Sequence, residues 1–234
     1  MSKLKKLTGF FKKKRPNIPA RIMITKGGRT SLDESYNRLK DNILYFGASG
    51  KRVIQVESTI PGEGKTTMVC NLGVSLAFND KKVVVIDLDF RSAGVSNAFG
   101  VDETIGVGDY VLDGASLDSI IKHTEYGVDV ITRGRVVYNS SFVLDSNKML
   151  ELIDELKKDY DFILLDCPPV LLMSDYMHIA KFSDGILYAV SANFVKRSAV
   201  RESLTLLSKL EVPVLGSVMM GINPDDAFYG YNRR

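Results

Sequence analysis

At 234 residues, with 45% hydrophobic and 25% charged side chains, the chain is long enough to bury a real core, and its composition excludes collagenous, low-complexity and wholly disordered classes. Its formal net charge of +3 hides an asymmetry: residues 1–32 hold ten of the 31 Lys and Arg and no acid, which leaves 21 basic against 28 acidic residues, a net of −7, in the remainder. No apolar run reaches the ~18 residues of a membrane helix, no signal-peptide pattern opens the chain, and Cys70 and Cys167 lack metal-type spacing, so they read as reduced core thiols of a cytosolic protein.

Residues 1–31 read as a basic, flexible arm interrupted by Pro16, Pro19 and the Gly27-Gly28 pair. Within residues 1–15, Leu4, Leu7 and Phe11 fall at near-helical spacing beside Phe10, with lysines elsewhere. That pattern suits either an anionic membrane surface or simple solvation. A helix then follows over "SLDESYNRLKDNILYF", with Ser31 or Asp33 as its N-cap and Leu32, Tyr36, Leu39, Ile43 and Phe46 on one stripe.

Beyond it, short β-branched runs alternate with helical patterns. Strands are expected over 52–58, 82–89, 127–133, 161–166, 185–192 and 214–220, and helices over 65–78, 146–159, around Tyr176, and over 196–210. Strands so apolar on both faces predict an α/β fold of three layers, with a mostly parallel central sheet flanked by helices, in one domain over residues 32–223. Residues 224–234 read as a flexible tail that carries Tyr229 and Tyr231.

The first strand runs into "PGEGKTT" and then a helix, the order that places backbone amides at a helix N-terminus for an anion. Pro61, Gly62, Glu63, Gly64, Lys65, Thr66 and Thr67 are the expected nucleotide-binding residues. The amides of Gly62, Glu63, Gly64 and Lys65 face the phosphates, Lys65 neutralises β- and γ-oxygens, and Thr66 ligates Mg²⁺. The cofactors expected are therefore ATP and Mg²⁺.

Two more acidic sites end strands. Asp87 and Asp89 close "VVVIDLD", placed on one side by strand alternation, and Asp166 closes "FILLD" before Cys167-Pro168-Pro169. Acids there are poor for burial unless a cation joins them, which points to the metal of a bound nucleotide. Arg91 could hold a phosphate or a neighbouring acid but reads more readily as a solvated loop residue, and His123 and His178, in helix-like contexts, read as structural.

Ser58, Pro61, Gly62, Glu63, Gly64, Lys65 and Thr66 match the S-x-x-P-G-E-G-K-T loop of the bacterial tyrosine kinases, and the order of the three motifs resembles that family, within the MinD/ParA-like P-loop ATPases. The resemblance covers nearly all of the chain from Asp33 on. It implies a P-loop NTPase fold and a Mg-ATP-dependent tyrosine autokinase of capsule or exopolysaccharide systems. Asp87 would be base and metal ligand, Asp89 its support, and Asp166 and Thr66 further metal ligands; Lys65, Asp87 and Asp89 form the catalytic set, and Tyr229 and Tyr231 are the phosphoacceptors.

By the same resemblance the partners are further copies of the chain and the cytoplasmic segment of a membrane polysaccharide co-polymerase. Nucleic acid is not expected, and the location is cytoplasmic, at the inner face of the plasma membrane. Ile60 stands where partitioning ATPases carry a signature lysine, which disfavours a ParA-like positioning ATPase. Two departures keep an ATP-binding assembly regulator open as an alternative: the tail has two tyrosines, and the family's oligomerisation motif E-x-x-R-x-x-R appears as Glu34, Asn37 and Lys40, with Arg38 one residue away; a third departure, Met220 in place of a common asparagine, bears on the base end of the ATP site.

Overall fold

The computed structural model of the protein describes residues 19–192 and 194–222. The helix after the basic arm, α1 (Ser31–Ala48), leads into β1 (Val53–Ser58), α2 (Lys65–Ala77) and β2 (Val83–Asp87). Four short helices and two short strands follow: α3 (Gly94–Phe99), α4 (Val107–Asp113), α5 (Leu117–Ile120), β3 (Ile121–His123), β4 (Val128–Ile131) and α6 (Ser140–Leu144). The chain then alternates through α7 (Asn147–Asp159), β5 (Phe162–Asp166), α8 (Asp175–Ile179), β6 (Gly185–Ser191), α9 (Arg197–Leu207) and β7 (Val214–Met220).

The seven strands form one sheet in the order β3-β4-β2-β5-β1-β6-β7, parallel throughout except for the β3–β4 pair. Period-two alternation divides the core. Val83, Val85, Phe162 and Leu164 face α1 and α2, whereas Val84, Ile86, Ile163 and Leu165 face Leu152, Ile153 and Leu156 of α7. Both faces are therefore covered, as a sheet with βαβ crossovers requires, and each buried aliphatic side chain contributes about 1.5–3 kcal/mol. The exception is the edge strand β7, which is half exposed.

The α/β layering is as expected, and the local differences have simple causes. Thr30, not Ser31 or Asp33, caps α1: its hydroxyl accepts from the Asp33 amide at 3.1 Å while the Asp33 carboxylate accepts from the Thr30 amide at 2.9 Å. His123 lies in β3 rather than in a helix, and its ring meets Asp129 at 2.7 Å. His178 lies in α8, 2.8 Å from Asp145. Among the described residues no helix is long and apolar enough to cross a membrane.

Candidate active site

The loop between β1 and α2 takes its shape from two glycines and one buried acid. Gly62 and Gly64 have φ of 81° and 91°, a region that disfavours any side chain, and Gly64 is the N-cap of α2 without a side-chain cap. The first amides of α2 are thus left for an outside acceptor. Glu63 points inward: one carboxylate oxygen accepts the Ile60 amide at 2.8 Å and the other the Ser191 amide of β6 at 3.0 Å. Thr59, at the position that usually opens such loops with glycine, shares a buried hydrogen bond of 2.6 Å with the Tyr188 hydroxyl.

These inward contacts were not legible in the sequence, where Glu63 reads only as a loop residue with an available amide. Pro61 and Gly62 are exposed at the mouth, and the Thr67 carbonyl accepts from Asn71 at 2.7 Å. Asn71 in turn accepts from the Met23 amide at 2.7 Å and donates to the Arg21 carbonyl at 2.9 Å, pinning the segment before α1 onto α2.

The expected acids gather at the same end of the sheet. Asp87 and Asp166 are partners in register across β2 and β5, adjacent strands spaced about 4.8 Å apart. The Lys65 ammonium donates to one Asp166 oxygen and the Thr66 hydroxyl donates to the other at 2.8 Å. Asp87 accepts the Asp89 amide at 3.1 Å and the Val95 amide at 3.2 Å. Strand β2 ends at Asp87, so a turn, not strand alternation, holds Asp89 near Lys65.

Three carboxylates thus surround one ammonium. Burial and then Asp166 push the proton affinity of Asp87 well up, and burial does the same for Asp89 against the pull of Lys65. Burial works against the charge of Lys65, but Asp166 and Asp89 outweigh it and hold the lysine above its ordinary range. The surplus negative charge and the all-oxygen donors, Thr66 with Asp87 and Asp166, fit a hard divalent cation. Among the described residues no three His, Cys, Asp or Glu side chains stand close enough to bind a metal together.

Close packing fixes the Thr66 hydroxyl. A Cβ on Gly94, at the start of α3, would lie 2.8 Å from Thr66 Cγ2 and 3.1 Å from Thr66 Oγ1. Met220, at the end of β7, packs its methyl group against Gly64. Ile60 is fully buried with Phe194, Val195 and Ala199, so the position of the partitioning lysine is apolar throughout.

Sequence reasoning missed a polar layer behind the loop. Glu57 is buried on β1, where Gln55 donates to it at 2.7 Å and also to the Tyr176 carbonyl at 3.0 Å; burial lifts its carboxyl to about 8. Arg91 is not simply solvated: it donates to Asp175 at 3.1 Å and to the Ser140 hydroxyl at 3.2 Å. On α1, Glu34, Asn37 and Arg38 are exposed while Lys40 is buried and meets Asp41 at 3.4 Å. Tyr229, Tyr231 and residues 1–15 lie outside the described residues.

Comparison with known proteins places this geometry. The AAA domain family matches residues 51–211. Tyrosine-protein kinase YwqD of Bacillus subtilis is 30% identical over 190 residues, 80% of each chain. Tyrosine-protein kinase ptk of Acinetobacter johnsonii is 32% identical over 93% of this chain, which spans only 30% of that longer protein. The kinase domain of the Escherichia coli tyrosine kinase ETK superposes with a TM-score of 0.81 at 25% identity, covering 95% of this chain and 87% of that one. The septum site-determining protein MinD of Pyrococcus horikoshii, complexed with Mg-ADP, superposes with a TM-score of 0.61 at 29% identity over 75% of each chain. With the family match spanning most of its length and YwqD related across four-fifths of both chains, the protein belongs to the bacterial tyrosine kinases, a group of P-loop ATPases with MinD-like neighbours.

Proposed function

We propose that the protein is a Mg-ATP-dependent tyrosine autokinase of a capsular or exopolysaccharide system, which phosphorylates Tyr229 and Tyr231 of its tail between copies of the chain. The observation that carries this reading is the convergence of Lys65 and Thr66 on Asp166, with Asp87 beside it in register. The related tyrosine-protein kinases support the reaction class, and kinases assigned to a cps region support the setting.

In this reading the Pro61–Thr67 loop receives the phosphates on its amides, and Lys65 turns from Asp166 toward them. Thr66, Asp87 and Asp166 would hold Mg²⁺, which when bound neutralises charge on the phosphate oxygens. Asp87 takes the proton of the incoming phenol, a task helped by the proton affinity that burial gives it, and Asp89 supports its placement through its amide. Catalysis then consists mainly of positioning and charge neutralisation.

The partner in this proposal is the cytoplasmic segment of a membrane polysaccharide co-polymerase, with the basic residues 1–15 against the anionic inner face of the membrane. A second reading, an ATP-gated assembly factor with little phosphoryl transfer, is favoured by Asn37 and the buried Lys40 standing in place of the two arginines of E-x-x-R-x-x-R. Phosphopeptide mass spectrometry after incubation with Mg-ATP, with and without such a segment, separates the two. Phosphate on Tyr229 or Tyr231 that disappears in Lys65→Met supports the kinase. ATP binding without any phosphotyrosine in either condition rejects it and leaves the assembly factor.

A further inference from the structure

Eight of the ten tyrosines lie among the described residues, and two of those are exposed: Tyr45, at 77%, and Tyr138, at 98%. Tyr45 belongs to α1 and packs edge-on against Phe46, with ring centroids 5.9 Å apart, so the regular helix keeps its phenol at the surface of the fold. Tyr138 stands in the irregular segment between β4 and α6.

That segment is held at both ends, and between them Val137 packs against the core while Val136 and Tyr138 are exposed. Before Tyr138, the Arg135 amide donates to Asp109 at 3.0 Å, and Gly134 approaches Gly106 so closely that a Cβ would lie 2.5 Å from its amide nitrogen. After Tyr138, Arg91 donates to the hydroxyl of Ser140 at 3.2 Å. Val136 and, in α6, Phe142 lie either side of Tyr138 in the chain, are also exposed, and add apolar area for docking. Since β4 runs parallel to β2, the segment leaves the sheet at the end where Asp87 closes β2. Arg91, which reaches Ser140, also pairs with Asp175, and Arg135 pairs with Asp113, so these ion pairs hold the base of the segment.

We propose that Tyr138 is a phosphoacceptor, separate from the tail, that enters the active site of a second copy of this chain. The phenolic oxygen forms a bond to the γ-phosphorus of ATP, the bond from that phosphorus to the β,γ-bridging oxygen breaks, ADP leaves, and the phenolic proton passes to Asp87 of the copy being entered. The inference rests on the kinase reading above. A protruding phenol between fixed anchors can be presented without unfolding its own domain, which none of the buried or half-buried tyrosines can do.

The test mixes an active full-length chain carrying Tyr229→Phe and Tyr231→Phe with an isotope-labelled Lys65→Met chain, in Mg-ATP, with the wild-type chain alongside. Trypsin releases residues 136–148, a peptide whose only tyrosine is Tyr138. The expected result is phosphate on Tyr138 of the labelled chain in the mixture, none when the labelled chain is incubated alone, and loss of the signal in Tyr138→Phe with an unchanged melting temperature. Phosphate on the wild-type tail with residues 136–148 unmodified overturns the inference and leaves the kinase reading standing. Phosphate on Tyr138 of the active chain alone overturns entry into a second copy. Absence of phosphotyrosine from every chain overturns both readings.

Discussion

The hydroxyl groups of Thr59 and Tyr188 lie 2.6 Å apart beneath the phosphate loop, joining β6 to the residue at which the loop leaves β1. Both are buried, with Ser203 also beside the Tyr188 hydroxyl and Glu63 beside that of Thr59, so removing one costs the other its shortest bond. Tyr188→Phe and Thr59→Val are each expected to cost about 1–3 kcal/mol, and the double variant less than their sum. Urea denaturation of the four chains measures the coupling; strict additivity would show that the contact contributes nothing.

Lys65 and Asp166 form a pair in which both side chains are nearly sealed from solvent. Lys65→Met leaves Asp166 without its cation and is expected to lower stability by about 3–5 kcal/mol, while abolishing ATP binding. Adding Asp166→Asn should restore most of the stability and none of the binding. Urea midpoints together with titration of a fluorescent ATP analogue check both halves; binding that returns with stability would remove Lys65 from the phosphate site.

Gly94 leaves no space for a methyl group beside Thr66. Gly94→Ala is expected to displace the Thr66 hydroxyl and to weaken nucleotide binding at least about tenfold in Mg²⁺, with a smaller effect in EDTA; tenfold corresponds to about 1.4 kcal/mol. Equal losses in the two buffers would mean that Thr66 serves the fold rather than the metal.

Burial raises Glu57 from 4.5 to about 8, so in the folded protein it keeps its proton through neutrality, whereas the unfolded chain releases that proton near 4.5. The unfolded state therefore binds fewer protons between these values. The resulting stabilisation is complete below 4.5, declines as pH rises, and is gone once pH has passed through about 8. Glu57→Gln should flatten this part of the stability profile, as read from unfolding at about pH 6 and about pH 8. A slope unchanged by the substitution would assign it to other buried acids.

Strands β1, β2, β4, β5 and β6 were legible because each is a short apolar run buried almost throughout, and the half-exposed β7 still matches its expected limits of 214–220, whereas the three-residue edge strand β3 was not foreseen. Helices α3 to α6 were not, since four to seven residues give an apolar periodicity no room to repeat. The cap of α1 was ambiguous because Thr30, Ser31 and Asp33 all have the chemistry to serve. In the site, Lys65, Thr66, Asp87, Asp89 and Asp166 could be found from their places at strand and helix ends. Gln55 and Glu57 could not, because alternating polar residues on a strand normally face water, and here both are buried. The partners of Glu63 and Thr59 come from β6, about 130 residues away in the chain, beyond the reach of local pattern.

Ile60 sits at the one loop position that distinguishes this chain from the partitioning ATPases, and its neighbours are Phe194, Val195 and Ala199. A lysine introduced there alone would place an ammonium among apolar side chains, beside a Glu63 carboxylate already committed to two amides, at a cost of several kcal/mol. Installing that lysine alone is therefore expected to destabilise the loop. Accommodating it calls for repacking the start of α9 together with the loop, so the character of this phosphate loop is set in the interior as well as at the catalytic surface.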